Sequence, residues 1–440
     1  MSSFLSRWEP ENEKFWKETG SAIAWKTLWI TTVSLVLSFA TWFVMSAVVV
    51  RLPGIGFQFS TQQLFWLAAM PGLAGGSLRI IHTFLIPLYG SRLVITVTIL
   101  LKLIPVIGLA FAVMDPSTPF WMFMLLAFAF GFGGGDFSSY MPSTSLFFPK
   151  KKQGTALAIQ AGIGNFGVSL TQFITPWIIT MPLFGILAGD PQLFSKGTIS
   201  THIWLQNAAL WYLPFLLIFG VAAWIMIRSI PIRASFKEQL DIFSDKHTWL
   251  MTSLYMMTFG SFSGFSAAFP LMIREIFGGV ENAPDPLTYA FLGPLIGSAV
   301  RVMMGPLTDR YGGAVWTMIS GIGLLVCSIG VTLYTQPASA KDFTPFLWMM
   351  LGIFFFSGIG NASTFRQIPM IFPPRQAGGV IGWTAAVAAY GPFIFSMLIG
   401  FVITVFGGPN LFFYGIAVFY LVNIMINWNF YLRRGAEKPC

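Results

Sequence analysis

The segments RIIHTFLIPLYG at 79–90 and RVMMGPLTDRYG at 301–312 decide the architecture of this chain, because they are two copies of one pattern. Each copy begins with an arginine and reaches Tyr-Gly after the same number of residues. A second pair follows, FPKKKQG at 148–154 and FPPRQAG at 372–378, and Phe166-Gly167 aligns with Tyr390-Gly391 at the same offset. Three matches in the same order, at nearly the same offset, indicate an internal duplication, which is how many secondary transporters are built.

The composition places most of this chain in lipid. Of its 440 residues, 55% are hydrophobic and only 9% are charged, whereas a soluble domain has roughly 25% charged residues. The net charge of +9 is explained by basic segments on one side of a membrane, so no nucleic-acid partner is expected. Cys327 and Cys440 form no disulfide framework or metal cluster, and no cofactor motif or set of catalytic groups indicates an enzyme.

Twelve apolar stretches are long enough to cross about 30 Å of hydrocarbon. We number them spans 1 to 12; they lie near 26–50, 62–86, 92–113, 118–147, 153–181, 205–228, 248–273, 286–308, 314–334, 345–371, 378–405 and 410–432. The sequence therefore predicts an all-α integral membrane protein with two pseudo-symmetric six-helix halves, 26–228 and 248–432. The N-terminal segment 1–25, the linker 229–247 and the tail 433–440 are rich in Lys and Arg, which predicts that they are cytoplasmic.

Arg79 and Arg301 are the main candidates for substrate binding. A charged side chain at the centre of a membrane helix costs roughly 2.5–3.5 kcal/mol, so such residues are functional candidates by default. The two arginines occupy equivalent places in spans 2 and 8, and equivalent positions converge on the axis between the halves. Two guanidinium groups repel each other there, and an anion between them would relieve the repulsion. A planar oxyanion suits the forked guanidinium.

Asp136 is the one carboxylate that the sequence places well inside a span. One hypothesis makes it a proton-coupling group, and the alternative is a fixed ion pair with Lys102 or Arg366. His82, one turn from Arg79, is interpreted as a packed polar residue rather than as a proton relay.

Aromatic and small residues complete the set of candidates. Tyr255 and Phe259 are four residues apart on one face of span 7, and Phe39 and Phe137 could extend an aromatic collar around an anion. Packing or lipid contact is the alternative explanation for each ring. In span 5, small residues permit close approach and sliding of helices, or static packing. The proposed gating positions are Gly162, Gly164, Gly167 and Gly391, and Asn165 between them is a candidate ligand.

The segment GPLTDRYGG at 305–313 lies at a predicted cytoplasmic turn. It resembles the Gly-x-x-x-Asp-Arg-x-Gly signature of the major facilitator superfamily, and Asp309 with Arg310 would form a cytoplasmic latch. The first copy reads PLYGSR at 87–92 and lacks the aspartate.

The chain resembles the NarK-type nitrate/nitrite porters of that superfamily. The resemblance runs from WEPENEKFW at 8–16 almost to the end and includes GIGNFGVS at 162–169, YMMTFGSFSGFS at 255–266 and both arginine segments. It implies a major facilitator fold in which Arg79 and Arg301 clamp nitrate. It also implies that Tyr255 hydrogen-bonds the anion and that Phe39, Phe137 and Phe259 wall the site. Asp136 departs from the exchanger branch, which has a neutral amide there.

These observations predict a monomeric secondary transporter of nitrate, and of nitrite, in the bacterial inner membrane. Symport of nitrate with protons is the leading interpretation because of Asp136. Nitrate/nitrite exchange is the alternative within the class, and a nitrate receptor without transport is the alternative outside it. A channel is disfavoured, because two paired halves with one central site suit alternating access.

Overall fold

The protein is described as a computed structural model covering residues 4–183, 185, 189–196, 199–230 and 237–440. The spans are helical, and several consist of consecutive helices. In the first half, the helices are Glu13–Phe15, Ser21–Trp42 and Val44–Val48 (span 1), Thr61–Tyr89 (span 2), Ser91–Leu101 and Leu103–Met114 (span 3), Phe120–Phe130, Phe132–Gly135 and Phe137–Phe147 (span 4), Lys150–Ile178 (span 5), and Asn207–Leu210 and Leu213–Met226 (span 6).

The second half has the same order of elements. Its helices are Lys246–Tyr255 and Ser261–Phe277 (span 7), Pro286–Tyr289 and Leu292–Tyr311 (span 8), Gly313–Val331 (span 9), Phe343–Ile371 (span 10), Pro374–Ala388 and Gly391–Phe406 (span 11), and Asn410–Asn427 (span 12). A hairpin of two antiparallel strands, Gln192–Lys196 and Ile199–Ile203, lies between spans 5 and 6. Part of the predicted linker, 231–236, lies outside the described residues, so the division into halves at 229–247 stays a prediction.

Eleven helical segments of the described chain are long and apolar enough to cross a membrane. They account for every predicted span except span 5. That span is a single helix of 29 residues and is therefore long enough to cross. Its mean hydropathy is lower than that of the other spans because it contains buried polar residues such as Gln160, Asn165 and Gln172. Polar residues of a membrane helix face the protein interior, so span 5 is an inner helix, and the prediction of an all-α membrane protein is confirmed.

The two halves show the same pattern of burial from their first span to their last. Spans 1 and 7 are the most deeply buried, and spans 6 and 12 are the least buried. Large apolar side chains cover the exposed faces of the outer pair, including Ile218 and Trp224 in span 6 and Val418 and Met425 in span 12. Lipid is the solvent for such faces. The first span of each half therefore lines the centre, and the last faces the bilayer.

Several spans depart from regular α-helix well inside their length. Span 4 is interrupted at Gly131 and at Asp136, span 7 contains a π-helical turn at Met256–Gly260, and span 11 is interrupted between Ala388 and Gly391. A Cβ at Gly133 would collide with the carbonyl oxygen of Ser38 in span 1. The glycine run of span 4 thus permits close packing against span 1. Such π-turns and breaks are frequent at functional sites.

Polar contacts join the two halves at the end opposite the termini. There Arg51 Nη2 forms a salt bridge of 2.7 Å with Asp285 Oδ2, and Thr61 donates a hydrogen bond of 2.8 Å to Glu275. At the other end, Gly154 of span 5 and Gly378 of span 11 have no atom within 4 Å of an added Cβ. Polar contacts thus join the halves at the far end, and an added Cβ would meet open space at these two positions of the terminal end.

Substitution of Gly167 tests the packing of span 5 against span 1. An added Cβ would overlap the carbonyl oxygen of Val36 and lie 3.1 Å from Phe39 Cβ. We expect Gly167→Ala to lower the free energy of unfolding by about 1–3 kcal/mol, measured as a lower melting temperature in detergent. Gly154→Ala, on the same helix, is the matched control. Equal melting temperatures for the two variants would show that spans 1 and 5 do not pack this closely.

Candidate anion-binding site

Arg79 is completely buried in span 2 and is held by main-chain carbonyl groups. Its Nε donates a hydrogen bond of 2.8 Å to Gly134 O in span 4, and its Nη1 donates one of 2.7 Å to Ala385 O in span 11. Its Nη2 has no hydrogen-bond partner in the described part of the chain. Both halves therefore hold this guanidinium group, and one of its nitrogen atoms remains available to a ligand.

Arg301 is the counterpart in span 8 and is also buried. Its Nη1 has no hydrogen-bond partner among the described residues. The Tyr255 hydroxyl interacts with this guanidinium group and, electrostatically, with that of Arg79. The Phe365 ring covers one side of the group, with its centroid 5.3 Å from Arg301 Cζ. Both arginines thus present an unused donor.

The two arginines meet at the ring of Phe259. The ring centroid lies 5.5 Å from Arg79 Cζ and 6.0 Å from Arg301 Cζ. Neither arginine takes part in a salt bridge between described residues. Two permanent cations beside one ring, away from water, repel each other strongly. This arrangement favours an anion as the missing partner.

The other predicted aromatic residues surround this pair. Phe137 lies over Arg79 with its centroid 4.6 Å from Cζ, and Phe39 stacks on Phe137 at 5.9 Å. Tyr255 stacks on Phe259 with centroids 5.4 Å apart and ring planes only 7° apart. The negative faces of aromatic rings attract guanidinium groups. The rings therefore orient the cations and exclude water from the space between them.

Asn165 lies in span 5 and is buried, with neither side-chain atom hydrogen-bonded in the described chain. The neighbouring glycines explain how span 5 comes so close. A Cβ at Gly164 would meet the Leu35 side chain, and one at Gly162 would lie 2.7 Å from Val302 Cγ2 in the other half. Gly391 packs in the same way against the Gly260 carbonyl group. These glycines allow close packing, and their role in gating stays a prediction.

Asp136 is buried beside the site but forms its ion pair with Lys102. Lys102 Nζ lies 2.6 Å from Asp136 Oδ2 and also donates to Thr98 O at 2.9 Å. The Ser38 hydroxyl donates to the same carboxylate oxygen at 2.8 Å. This is the alternative that the sequence left open, with Lys102 rather than Arg366 as partner. A proton-coupling role for Asp136 stays a prediction.

His82 and the two predicted latch residues lie outside this centre. His82 Nδ1 is hydrogen-bonded to Ser139 Oγ at 2.8 Å, which agrees with a packed polar residue. At the terminal end, Arg310 is exposed and lies over the Tyr311 ring at 5.2 Å. The side chain of Asp309 lies outside the described part of the structure, so the latch stays a prediction.

The sequence did not single out Trp42 or Phe365. The Trp42 ring lies 5.4 Å from Arg79 Cζ, and its Nε1 donates to Pro71 O at 2.8 Å. Its position three residues after Phe39, on the same face of span 1, was a usable signal. Phe365 contacts Tyr255 at a centroid distance of 4.6 Å. No local pattern distinguishes it from the many aromatic residues that face lipid.

Comparisons with known proteins agree with this architecture. A family model described as Major Facilitator Superfamily matches residues 28–365. The chain is 62% identical over 439 residues to a "Probable nitrate/nitrite antiporter NarK2" of Thermus thermophilus, covering 100% of this chain and 98% of that protein. It is 37% identical over 458 residues to a "Nitrate/nitrite transporter NarU" of Salmonella typhimurium, covering 99% and 97%.

The fold also resembles solved transporters of low sequence similarity. The crystal structure of a D-xylose-proton symporter has a TM-score of 0.66 and 14% sequence identity, with 92% of this chain and 97% of that chain covered. At this identity the likeness concerns the fold alone, and the predicted major facilitator fold is confirmed.

Lysine substitution tests whether nitrate binding requires the planar, forked guanidinium groups of the two arginines. Arg79→Lys and Arg301→Lys keep the charge and lose the planar fork, so we expect each variant to lose nitrate binding while remaining folded. Calorimetry on the purified protein measures the binding. Arg433→Lys, at an exposed arginine near the C-terminus, is the control. Wild-type affinity in either buried variant would remove the clamp from the site.

The Tyr255 hydroxyl provides a finer test. Tyr255→Phe removes one hydrogen bond to a charged group, worth roughly 1.5–3 kcal/mol, and we expect the dissociation constant for nitrate to rise about tenfold or more. Tyr420→Phe is the matched control, because its buried hydroxyl is hydrogen-bonded to Ser261 at 2.7 Å. If both variants bind nitrate like the wild type, the Tyr255 hydroxyl does not contact the anion.

Proposed function

Because the chain belongs to the NarK-type nitrate/nitrite porters of the major facilitator superfamily, we propose that it carries nitrate and nitrite across the membrane by alternating access. The anion binds between Arg79 and Arg301. The observation that carries this proposal is the pair of buried guanidinium groups beside Phe259, each with a donor that has no partner in the described chain. Tyr255 and Asn165 supply further polar contacts, and Phe39 and Phe137 close the apolar wall.

We propose exchange of one anion for another as the mode of coupling. Asp136 is committed to Lys102 at 2.6 Å, so the empty site keeps the charge of both arginines. Closing both ends around two unbalanced charges is costly in a low-dielectric interior. One bound anion cancels about half of that charge. The loaded carrier therefore changes conformation more readily than the empty carrier, which is the requirement for exchange.

Proton symport is the second candidate, and one observation favours it. Asp136 Oδ1 is buried without a hydrogen-bond partner in the described chain, and the carboxylate interacts electrostatically with Arg79. A proton on Asp136 would accompany the anion in this scheme. The same proton would leave the Lys102 ammonium without its counter-ion, which is costly for a buried charge. The ion pair therefore supports exchange over symport.

The proposal includes the membrane in which the protein lies and its orientation there. Basic residues concentrate in the segments on the side of the termini, which supports a plasma membrane protein with both termini in the cytoplasm. The end with the Arg51–Asp285 salt bridge then faces outward. A monomer is sufficient for transport, because one chain contributes both arginines to a single site.

Anion exchange can be separated from proton symport in proteoliposomes. We expect labelled nitrate to enter only when the vesicles contain nitrate or nitrite, and a pH gradient alone to drive no uptake. The double variant Lys102→Met with Asp136→Leu replaces the ion pair by apolar groups of similar volume, and we expect it to retain exchange. Uptake into anion-free vesicles that depends on a pH gradient and disappears in the double variant would establish symport instead.

A further inference from the structure

Asn361 in span 10 is a buried amide that the sequence did not single out. Its side chain is fully buried, and neither Nδ2 nor Oδ1 has a hydrogen-bond partner within the described residues. It ends the tetrapeptide GIGN at 358–361, which repeats the GIGN at 162–165 that ends in Asn165. A buried amide without partners is costly, so a ligand that satisfies it is the simplest reason for its presence.

Helix packing places Asn361 at the level of Arg301. A Cβ at Gly358 would meet Val300 Cβ at 3.0 Å and Gly297 O at 2.5 Å, so this face of span 10 lies against span 8. Asn361 lies one turn further along the same face. Phe365, another turn further, covers the Arg301 guanidinium at 5.3 Å. The amide is therefore bracketed by a contact with span 8 and by the ring that covers Arg301.

The internal repeat is a second, independent argument that Asn361 lies beside Arg301. The register that aligns Phe148 with Phe372 also aligns Phe137 with Asn361. The Phe137 ring lies 4.6 Å from Arg79 Cζ, so the residue at this place in span 4 contacts the arginine of span 2. By the same pseudo-symmetry, Asn361 faces the arginine of span 8, whose Nη1 has no partner in the described chain.

We propose that Asn361 is an anion-binding residue that donates an Nδ2–H to an oxygen of the bound nitrate. With the anion in place, its Oδ1 accepts a hydrogen bond from one of the two N–H groups of Arg301 Nη1, and the other N–H group remains directed to the anion. This inference rests on the proposed anion site between the two arginines. An amide can serve both neighbours at once, because it carries donors and an acceptor. The site is then asymmetric, with a ring covering Arg79 on one side and a hydrogen-bonding amide beside Arg301 on the other.

Three variants of the full-length protein in detergent test this role by nitrate titration calorimetry and by melting temperature. Asn361→Leu keeps the branching and the number of heavy atoms of the side chain and removes both polar groups, so we expect the nitrate dissociation constant to rise about tenfold and the anion-free protein to melt higher. Asn361→Asp places a carboxylate beside Arg301, and we expect no detectable nitrate binding. The control is Asn423→Leu, a buried amide that donates to Phe419 O and accepts from Ser253; it should melt lower and bind nitrate normally.

The outcomes separate this inference from the proposed function. Wild-type nitrate affinity in Asn361→Leu overturns the inference, and so does tight binding by Asn361→Asp. An equal loss of affinity in Asn423→Leu also overturns it, because the effect would then follow from altered packing. Failure of the wild type itself to bind nitrate overturns the proposed function. Binding by the wild type without exchange in vesicles overturns only the coupling mode.

Discussion

The repulsion between two buried guanidinium groups is the constraint on which the rest of the structure depends. Arg79 and Arg301 lie beside one ring, and the only buried carboxylate close to them in the described chain is already paired with Lys102. Neither arginine can lose its charge. Such a centre is stable only when carbonyl dipoles, ring faces and a bound anion offset the positive charge, and the surrounding helices supply the first two.

The irregular backbone follows from this requirement. Gly134 can offer its carbonyl oxygen to Arg79 because span 4 breaks beside it, and glycine there leaves room for the Trp42 ring of span 1. Span 7 carries its π-turn at Met256–Gly260, which contains Phe259, the ring that both arginines share. Regular helices bond their own carbonyl groups internally. The breaks therefore place polar main chain and a ring where the charges need them.

The sequence predicted the elements that depend on repetition and helical spacing. Duplication paired Arg79 with Arg301, and the four-residue spacing put Tyr255 and Phe259 on one face. It left the partner of Asp136 open, because spacing within one helix does not determine how neighbouring helices are rotated against each other. Trp42, Phe365 and the carbonyl acceptors of Arg79 were missed for related reasons. Aromatic residues are abundant throughout the chain, and main-chain acceptors have no side-chain signature.

The anchoring of Arg79 has an evolutionary consequence. Both of its hydrogen-bond acceptors in the described chain are main-chain oxygens, those of Gly134 and Ala385. Every amino acid offers such an oxygen, so residue 385 can be substituted without loss of its hydrogen bond with Arg79 as long as the helix keeps its path. A survey of correlated substitutions among relatives would therefore find no covarying acceptor for Arg79. The backbone path of spans 4 and 11, and not the identity of the accepting residues, is therefore what must be preserved for Arg79 to stay in place.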